Sequence, residues 1–161
     1  MAILFDYNEE FYKKQADGSY KSAKEIVGFI ADHIFIPQSV LDVGCGVGTW
    51  LKAWREAGVP KIKGIDGNKM PDDSLWVSRN EILERDLEKI SNEGSETYDL
   101  AMSVETAEHL RQETSKNFVH FLTSSSDIVL FSAAIPYQTG SCHINTQPLS
   151  FCQSSRRYSA H

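Results

Sequence analysis

The sequence is poor in cysteine, and its three cysteines, Cys45, Cys142 and Cys152, have no paired spacing. A structural zinc site usually shows C-x-x-C or closely spaced histidine pairs, and a disulfide framework usually shows an even set of cysteines. Neither pattern occurs, and His109 and His143 do not complete one. The sequence therefore predicts a reduced, cytoplasmic protein without a metal site.

Long hydrophobic runs are also missing. No apolar stretch approaches the roughly 20 residues of a membrane span. The opening residues, MAILFDYNEEFYKKQ, place acids and aromatics where a signal peptide has a basic and then an apolar stretch. We expect no membrane partner and a cytoplasmic location.

Basic residues are outnumbered by acidic ones. Lys and Arg total 16 against 22 Asp and Glu, which gives a net charge of -6. Nucleic-acid binding without sequence preference needs a basic surface, so nucleic acid is disfavoured as a partner. The composition, 41% hydrophobic and 24% charged over 161 residues, is that of one globular domain.

The apolar pattern predicts a helix early in the chain. A turn signal, DGS, stands at residues 17–19, and Pro37 ends the element. Between them, apolar residues recur at helical spacing and would form one face: Ala23, Ile26, Val27, Ile30 and Ile34.

A strand, a glycine-rich turn, a helix and a second strand follow. The strand covers residues 39–43, Thr49 is the expected N-cap, Gly58 the expected C-cap, and the second strand covers residues 61–65. This order predicts a right-handed βαβ unit with parallel strands. Trp50 and Trp54 are expected in the core.

Three more strands are expected, at residues 81–85, 98–103 and 127–133, with a helix at residues 113–125 and a loop or broken helix at 69–80. The run at 127–133 is the most apolar and predicts a continuously buried strand. The predicted fold is α/β, an open doubly wound Rossmann-like parallel sheet with helices on both faces. Ligands bind such sheets beyond the carboxyl ends of the strands.

The glycine-rich turn, DVGCGVG at residues 42–48, is the strongest local signal. Glycines permit positive φ and close approach of a ligand to the backbone, and the following helix directs free amides at that ligand. The dinucleotide fingerprint is G-x-G-x-x-G, whereas here the third glycine comes one residue early. Asp42 would repel a pyrophosphate and attract an ammonium group, so a ligand with both an amine and a carboxylate is favoured.

Asp66 stands at the end of the next predicted strand, about 20 residues after the first glycine. An acid at that distance suits hydrogen bonding to ribose hydroxyls. A ribose together with an amino-acid head group describes S-adenosyl-L-methionine.

Several motifs in order then resemble one family. VLDVGCGVG, GIDGN, RDL and YDLAMSVETAEHL are similar to the class I S-adenosylmethionine-dependent methyltransferases, over roughly residues 20–147. FYKKQADGSYKSAKEI also looks like the N-terminal helix region of small bacterial members. The resemblance implies a methyl transfer from S-adenosyl-L-methionine to a small-molecule acceptor by in-line displacement.

The resemblance also implies roles for individual residues. Residues 42–48 would hold the methionine moiety, Asp66 the ribose with Gly67 and Asn68 beside it, and Asp86 the adenine amino group with Leu87 nearby. The full implied cofactor set is Asp42, Gly44, Cys45, Gly46, Gly48, Asp66, Gly67, Asn68, Asp86, Leu87, Ser103 and Val104, with Glu105 beside the last two. Glu108, His109 and His143 are the candidate bases for an acceptor proton.

The end of the sequence departs from the family. The family sheet has seven strands, five are expected here, and the chain closes on TQPLSFCQSSRRYSAH. We therefore expect a cofactor domain at residues 1–147, an atypical tail at 148–161, and an exposed fifth-strand edge that invites a homodimer. Two alternatives stay open: a non-catalytic S-adenosylmethionine-binding remnant and, against the glycine spacing, a nicotinamide-dependent oxidoreductase.

Overall fold

A computed structural model of the protein describes residues 9–91, 96–138 and 143–148, with side chains from residue 16 onward. Within these ranges the strands are β1 (Ser39–Val43), β2 (Lys61–Asp66), β3 (Ile82–Glu84), β4 (Leu100–Val104) and β5 (Val129–Ser132). The α-helices of the same described residues are α1 (Glu9–His33), α2 (Thr49–Glu56) and α3 (Ser115–Ser125). No helix in the described ranges is long and apolar enough to cross a membrane.

All strand pairs are parallel, in the order β3-β2-β1-β4-β5. The chain runs outward from β1 to β2 and β3, then returns to the other side of β1 for β4 and β5. The strand order therefore reverses between β1 and β4, which is where open α/β sheets bind ligands. The predicted Rossmann-like parallel sheet is confirmed.

Side chains alternate between the two faces of β1. Val40 packs in one core with α1 and α2, while Leu41 and Val43 pack in the other with α3. Trp54 of α2 is fully buried, and its Nε1 donates to the Met102 sulfur at 3.3 Å. Trp50 is also buried, so the expectation that both tryptophans lie in the core is confirmed.

The turn predicted at residues 17–19 is wrong, because α1 runs through it. Ala16, Ala23 and Val27 are buried along one stripe of this helix, and their packing outweighs the cost of an exposed glycine, about 0.5–1 kcal/mol. The expected apolar face is correct only in part, since Ile26 is 42% and Ile34 65% exposed. Ile26 lies beside the buried stripe, and Ile34 follows His33, the last residue of the helix.

Two strand connections contain less helix than expected. Between β2 and β3 the described chain forms only short 3-10 turns, at Asp72–Ser74 and Arg79–Glu81. Between β3 and β4 the described residues form one more, at Leu87–Lys89. The loop predicted at 69–80 is confirmed, but strict alternation of strands and helices is not.

The prediction of a continuously buried fifth strand is wrong. Residues 129–131 are half-buried, Ser132 is exposed and Ile128 is 46% exposed. Within the described residues β5 lies at the edge of the sheet, pairing only with β4, so one side and part of one face lack cover. Cys142, Cys152 and the tail from residue 149 lie outside the described residues.

Candidate cofactor site and active site

The turn after β1 is built on three glycines with positive φ: Gly44 at 88°, Gly46 at 53° and Gly48 at 86°. A Cβ on Gly44 would lie 2.2 Å from Thr106 Oγ1, and one on Gly48 would lie 2.7 Å from Val77. A Cβ on Gly46 would meet nothing within 4 Å. The outer glycines are therefore packed by the protein, and only the middle one faces open space that a ligand can approach.

Asp66 holds this turn in place. Its Oδ2 accepts from the Gly46 amide at 2.7 Å, and its Oδ1 accepts from the Asn68 amide at 2.8 Å. The Ile65 carbonyl accepts from the Gly44 and Cys45 amides at 2.7 and 3.2 Å. The end of β2 and the glycine turn thus form one hydrogen-bonded unit, and each carboxylate oxygen keeps capacity for a second donor.

Asp42 is a buried carboxyl beside Asp66. It is 2% exposed, and its Oδ2 has no hydrogen-bond partner among the described residues. Burial, followed by the negative charge of Asp66, raises the pKa of Asp42 to about 8. An unpartnered buried oxygen favours a ligand that brings a hydrogen-bond donor or a positive charge.

Cys45 serves packing. Its side chain is buried, and a Cβ on neighbouring Gly64 would lie 2.5 Å from its sulfur. Burial, then the carboxyls of Asp42 and Asp66, raises the pKa of the thiol, which removes it from nucleophilic chemistry. Gly64 therefore makes room inside β2 for the turn, a requirement that the sequence alone did not reveal.

The start of α2 differs from the expectation. Gly48, not Thr49, is the N-cap residue, and no side chain caps the helix. Thr49 is buried, and its hydroxyl bonds that of Ser19 on α1 at 2.9 Å. No side chain in the described part of the chain therefore accepts from the first amides of α2, as an anion-binding helix end requires. The expected C-cap is off by one residue: Ala57 is the cap of α2, and Gly58 follows it with φ 96°.

A segment that sequence reasoning missed packs over the turn. The Trp76 amide donates to the Val47 carbonyl at 2.9 Å, and Val77 contacts the Gly48 backbone position. The centroid of the Trp76 ring also lies 4.7 Å from the centroid of the Tyr20 ring on α1. These contacts join positions far apart in sequence, and no local pattern marked them.

Asp86 and Leu87 follow β3. Leu87 is buried, whereas Asp86 is exposed and accepts from the Glu88 amide at 3.0 Å. Its bond to the Lys89 ammonium, then that amide, holds the pKa of Asp86 below its ordinary value. Asp86 therefore caps a 3-10 turn, and its adenine-binding role stays a prediction.

The end of β4 places Ser103 and Val104 at the switch point. Ser103 is fully buried, and its hydroxyl has no partner among the described residues. Glu105 follows with φ 53°, a conformation that non-glycine residues adopt at some cost and that is common at functional sites. Its carboxylate accepts from the Ser132 hydroxyl of β5.

The three candidate bases come together although they are distant in sequence. One ligand atom from each of Glu108, His109 and His143 lies within 4.8 Å of the others. The two imidazole rings meet edge-on, with centroids 5.2 Å apart. Glu108 is fully buried, and neither carboxylate oxygen has a partner among the described residues.

A cavity of about 180 Å³ opens between the start of α3, the end of β5 and the turn after β4, and Ala107 and Leu110, which flank Glu108 and His109 in sequence, contribute to its wall. Its wall is mainly apolar with a few polar groups. It is lined by Ala107, Leu110, Ser115, Phe118, Val119, Phe131, Ser132, Ala133, Asn145 and Gln147.

A sequence model described as a methyltransferase domain matches residues 12–132. The chain belongs to the methyltransferase domain family. This confirms the recognition made from the motifs, a class I S-adenosylmethionine-dependent methyltransferase. No curated protein sequence matches the chain.

Solved methyltransferase structures share its fold. An S-adenosylmethionine-dependent methyltransferase from Archaeoglobus fulgidus has 18% identity and a TM-score of 0.68, over 95% of this chain and 74% of that one. Magnesium protoporphyrin IX methyltransferase from Synechocystis PCC 6803, solved with bound cofactor, has 18% identity and a TM-score of 0.64, over 96% and 75%. An O-methyltransferase family protein from Burkholderia thailandensis has 13% identity and a TM-score of 0.66, over 95% and 55%.

The residues of this methyltransferase domain fit the family's cofactor, S-adenosyl-L-methionine, in chemical terms. The partnerless Oδ2 of Asp42 suits a cationic head group, and the open side of Gly46 leaves room for a ligand against the backbone. Asp66 keeps acceptor capacity for hydroxyl donors.

Proposed function

We propose that this methyltransferase domain transfers the methyl group of S-adenosyl-L-methionine to a small-molecule acceptor by in-line displacement. The observation that carries the cofactor half is the Asp66 carboxylate bonded to the Gly46 amide at the switch point of the sheet. It brings an acceptor for ribose hydroxyls next to the glycine turn. The methionine head group would then lie over Gly46, with its ammonium toward Asp42.

The apolar cavity supports a small acceptor. At about 180 Å³ it is below the roughly 300–1,000 Å³ typical of drug-sized ligand sites, so a compact acceptor such as a single ring or a short chain fits it best. The net charge of -6 adds to this, since it opposes a polyanionic nucleic acid.

The reaction breaks the bond between sulfur and the methyl carbon while the acceptor atom forms its own bond to that carbon. The sulfonium is already activated, so the protein contributes chiefly alignment of acceptor, carbon and sulfur. A hydroxyl or amine acceptor must also lose a proton. Glu108, His109 and His143, whose sequence neighbours Ala107 and Leu110 line the cavity, are the candidates to receive it, a role typically worth about 10²–10⁴-fold in rate.

The first alternative is a remnant that binds S-adenosyl-L-methionine but does not transfer its methyl group to an acceptor. A transfer assay separates the two. The chain is incubated with S-adenosylmethionine labelled at its methyl group and with a panel of small phenols, alcohols and amines. We expect label in at least one acceptor together with S-adenosylhomocysteine. Cofactor binding without label in any acceptor would favour the remnant.

A cavity variant links that transfer to the proposed acceptor site. Val119→Trp fills the cavity from α3, where this residue is half-buried, and should suppress transfer while S-adenosylhomocysteine still binds at wild-type strength. Val119→Ala, which enlarges the cavity, is the matched control and should keep transfer. Equal transfer in both variants would place the acceptor elsewhere.

The charge state of Asp42 predicts a pH dependence of cofactor binding. With a folded-state pKa of about 8, Asp42 holds its proton between about pH 4 and 8 in the free protein, whereas the unfolded chain does not. Its burial therefore lowers stability as the pH rises toward 8. An ammonium ligand requires the charged form, so binding releases a proton, and the affinity should rise up to about tenfold per pH unit between pH 6 and 7.5.

Calorimetric titration with S-adenosylhomocysteine at several pH values measures this slope. Asp42→Asn removes the titrating group while keeping its shape, so it should flatten the slope and weaken binding at pH 8. It should also make the free protein more stable at pH 8 and have a smaller effect at pH 5. The same slope in wild type and variant would contradict the assignment of Asp42 to the ammonium group.

A further inference from the structure

The cluster after β4 has the composition of a metal site. Two imidazoles and one carboxylate, from His109, His143 and Glu108, place their ligand atoms within 4.8 Å of one another. Such a set occurs at catalytic zinc sites and suits divalent transition metals in general. The spacing of these residues in the sequence predicted no metal, and the fold is what brings His143 to the other two.

The burial of Glu108 is an independent observation that points to a cation. This residue is fully buried, and both of its carboxylate oxygens lack a hydrogen-bond partner among the described residues. The Nδ1 atom of His143 is buried and partnerless in the same sense. Buried carboxylates are normally paired, hydrogen-bonded or bound to a metal. A bound cation would satisfy this carboxylate and the imidazole nitrogen together.

The backbone holds the ligands near their places. The Glu108 carbonyl accepts from the Ile144 and Asn145 amides at 2.9 and 3.1 Å, which fixes the residues after His143 against the turn that carries Glu108. The Asn145 side chain also donates to Ser115 Oγ of α3 at 2.9 Å. Tetrahedral ligands about 2.0 Å from an ion lie about 3.3 Å apart, so rotation of the two rings would close the site.

We propose that Glu108, His109 and His143 bind one divalent transition-metal ion, with Zn²⁺ as the best chemical match. Three protein ligands leave a coordination position open, the arrangement of catalytic rather than structural zinc sites. Ala107, Leu110 and Asn145, which lie close to the three ligands in sequence, line the apolar cavity, so that position would suit an oxygen of the acceptor. Binding of the ion does not depend on the proposed methyl transfer, although a role of the ion in orienting the acceptor rests on it.

The test is a titration of the metal-free full chain with Zn²⁺ against a chromophoric chelator, with Co²⁺ as a spectroscopic probe. We expect one ion per chain at micromolar affinity or tighter, and Co²⁺ absorption bands of low-coordinate geometry. Glu108→Gln and His143→Gln should each weaken Zn²⁺ binding by about 100-fold or more and reduce those bands. His120→Gln, which changes an exposed histidine of α3, should leave both unchanged.

Two measurements keep the result interpretable. Thermal melts in chelator show whether each variant folds, and His143→Gln is the second variant should Glu108→Gln fail to fold. S-adenosylhomocysteine titrations of the same samples report the cofactor site separately. The metal site is overturned if the folded wild type shows no saturable Zn²⁺ binding, if both variants bind as the wild type does, or if millimolar Mg²⁺ displaces Zn²⁺.

Discussion

Replacing Gly46 with valine should abolish cofactor binding while the protein stays folded. The position has φ 53°, and a Cβ placed there would have no atom within 4 Å, so the side chain would project into the space assigned to the head group. We expect binding of S-adenosylhomocysteine to fall by roughly 100-fold or more, the scale of an overpacked contact. The backbone cost at positive φ is about 1–2 kcal/mol.

Gly44→Ala is the matched contrast, because its effect should fall on the fold. Its φ of 88° and the approach of Thr106 to 2.2 Å add a backbone cost to an overpacking cost, together about 2–5 kcal/mol. The double variant Gly44→Ala with Thr106→Gly should recover part of this loss. Denaturant unfolding and S-adenosylhomocysteine titration of all three proteins separate stability from binding. A Gly46→Val protein that binds normally would show that the ligand lies elsewhere.

Replacing Asp66 with alanine should also weaken cofactor binding strongly. The substitution removes the acceptor of the Gly46 and Asn68 amides and the acceptor assigned to the ribose hydroxyls. Loss of a charged hydrogen-bond partner costs roughly 1.5–3 kcal/mol, so the dissociation constant for S-adenosylhomocysteine should rise by about 10- to 150-fold.

Two further variants define what that loss means. Asp32→Ala removes an exposed acid on α1 and should bind as the wild type does. Asp66→Asn keeps one carbonyl oxygen for the glycine turn and should fall between wild type and Asp66→Ala. If a folded Asp66→Ala protein binds S-adenosylhomocysteine as strongly as the wild type, Asp66 does not bind the ribose.

The parts of the site that the sequence predicts well are those encoded locally. The glycine spacing and Asp42 mark the turn, and an acid at the next strand end marks the ribose position. Strand ends meet at one edge of a parallel sheet, so the order of motifs alone brings Asp42 and Asp66 together. The structure confirms the sheet that this argument requires.

The parts that the sequence does not predict depend on packing between distant segments. Thr106 contacts Gly44 across the sheet, and Val77 contacts Gly48 from a loop without regular pattern. The helix α1 continues through Gly18 because its buried stripe outweighs the local turn signal. The predicted burial of β5 is also too high. An apolar run indicates a strand, but it does not show whether that strand has neighbouring strands on one side or on both.

The candidate metal site also depends on contacts between distant segments, which the sequence does not predict. Glu108 and His109 are adjacent in sequence, but His143 is brought to them by the fold, through the backbone bonds of Ile144 and Asn145 to the Glu108 carbonyl and the ring contact with His109. Ligand-spacing rules detect pairs on one helix or turn, and they miss a set that is completed from a segment beyond the next strand.

The measurement that tests the central claim most directly is calorimetric titration of the folded 161-residue chain with S-adenosylhomocysteine, with NADH as the competing ligand. The geometry of Gly46, Asp66 and Asp42 predicts one S-adenosylhomocysteine per chain at micromolar affinity and no measurable binding of NADH. Preference for NADH, or binding of neither ligand by a folded chain, would contradict the cofactor site described for this domain.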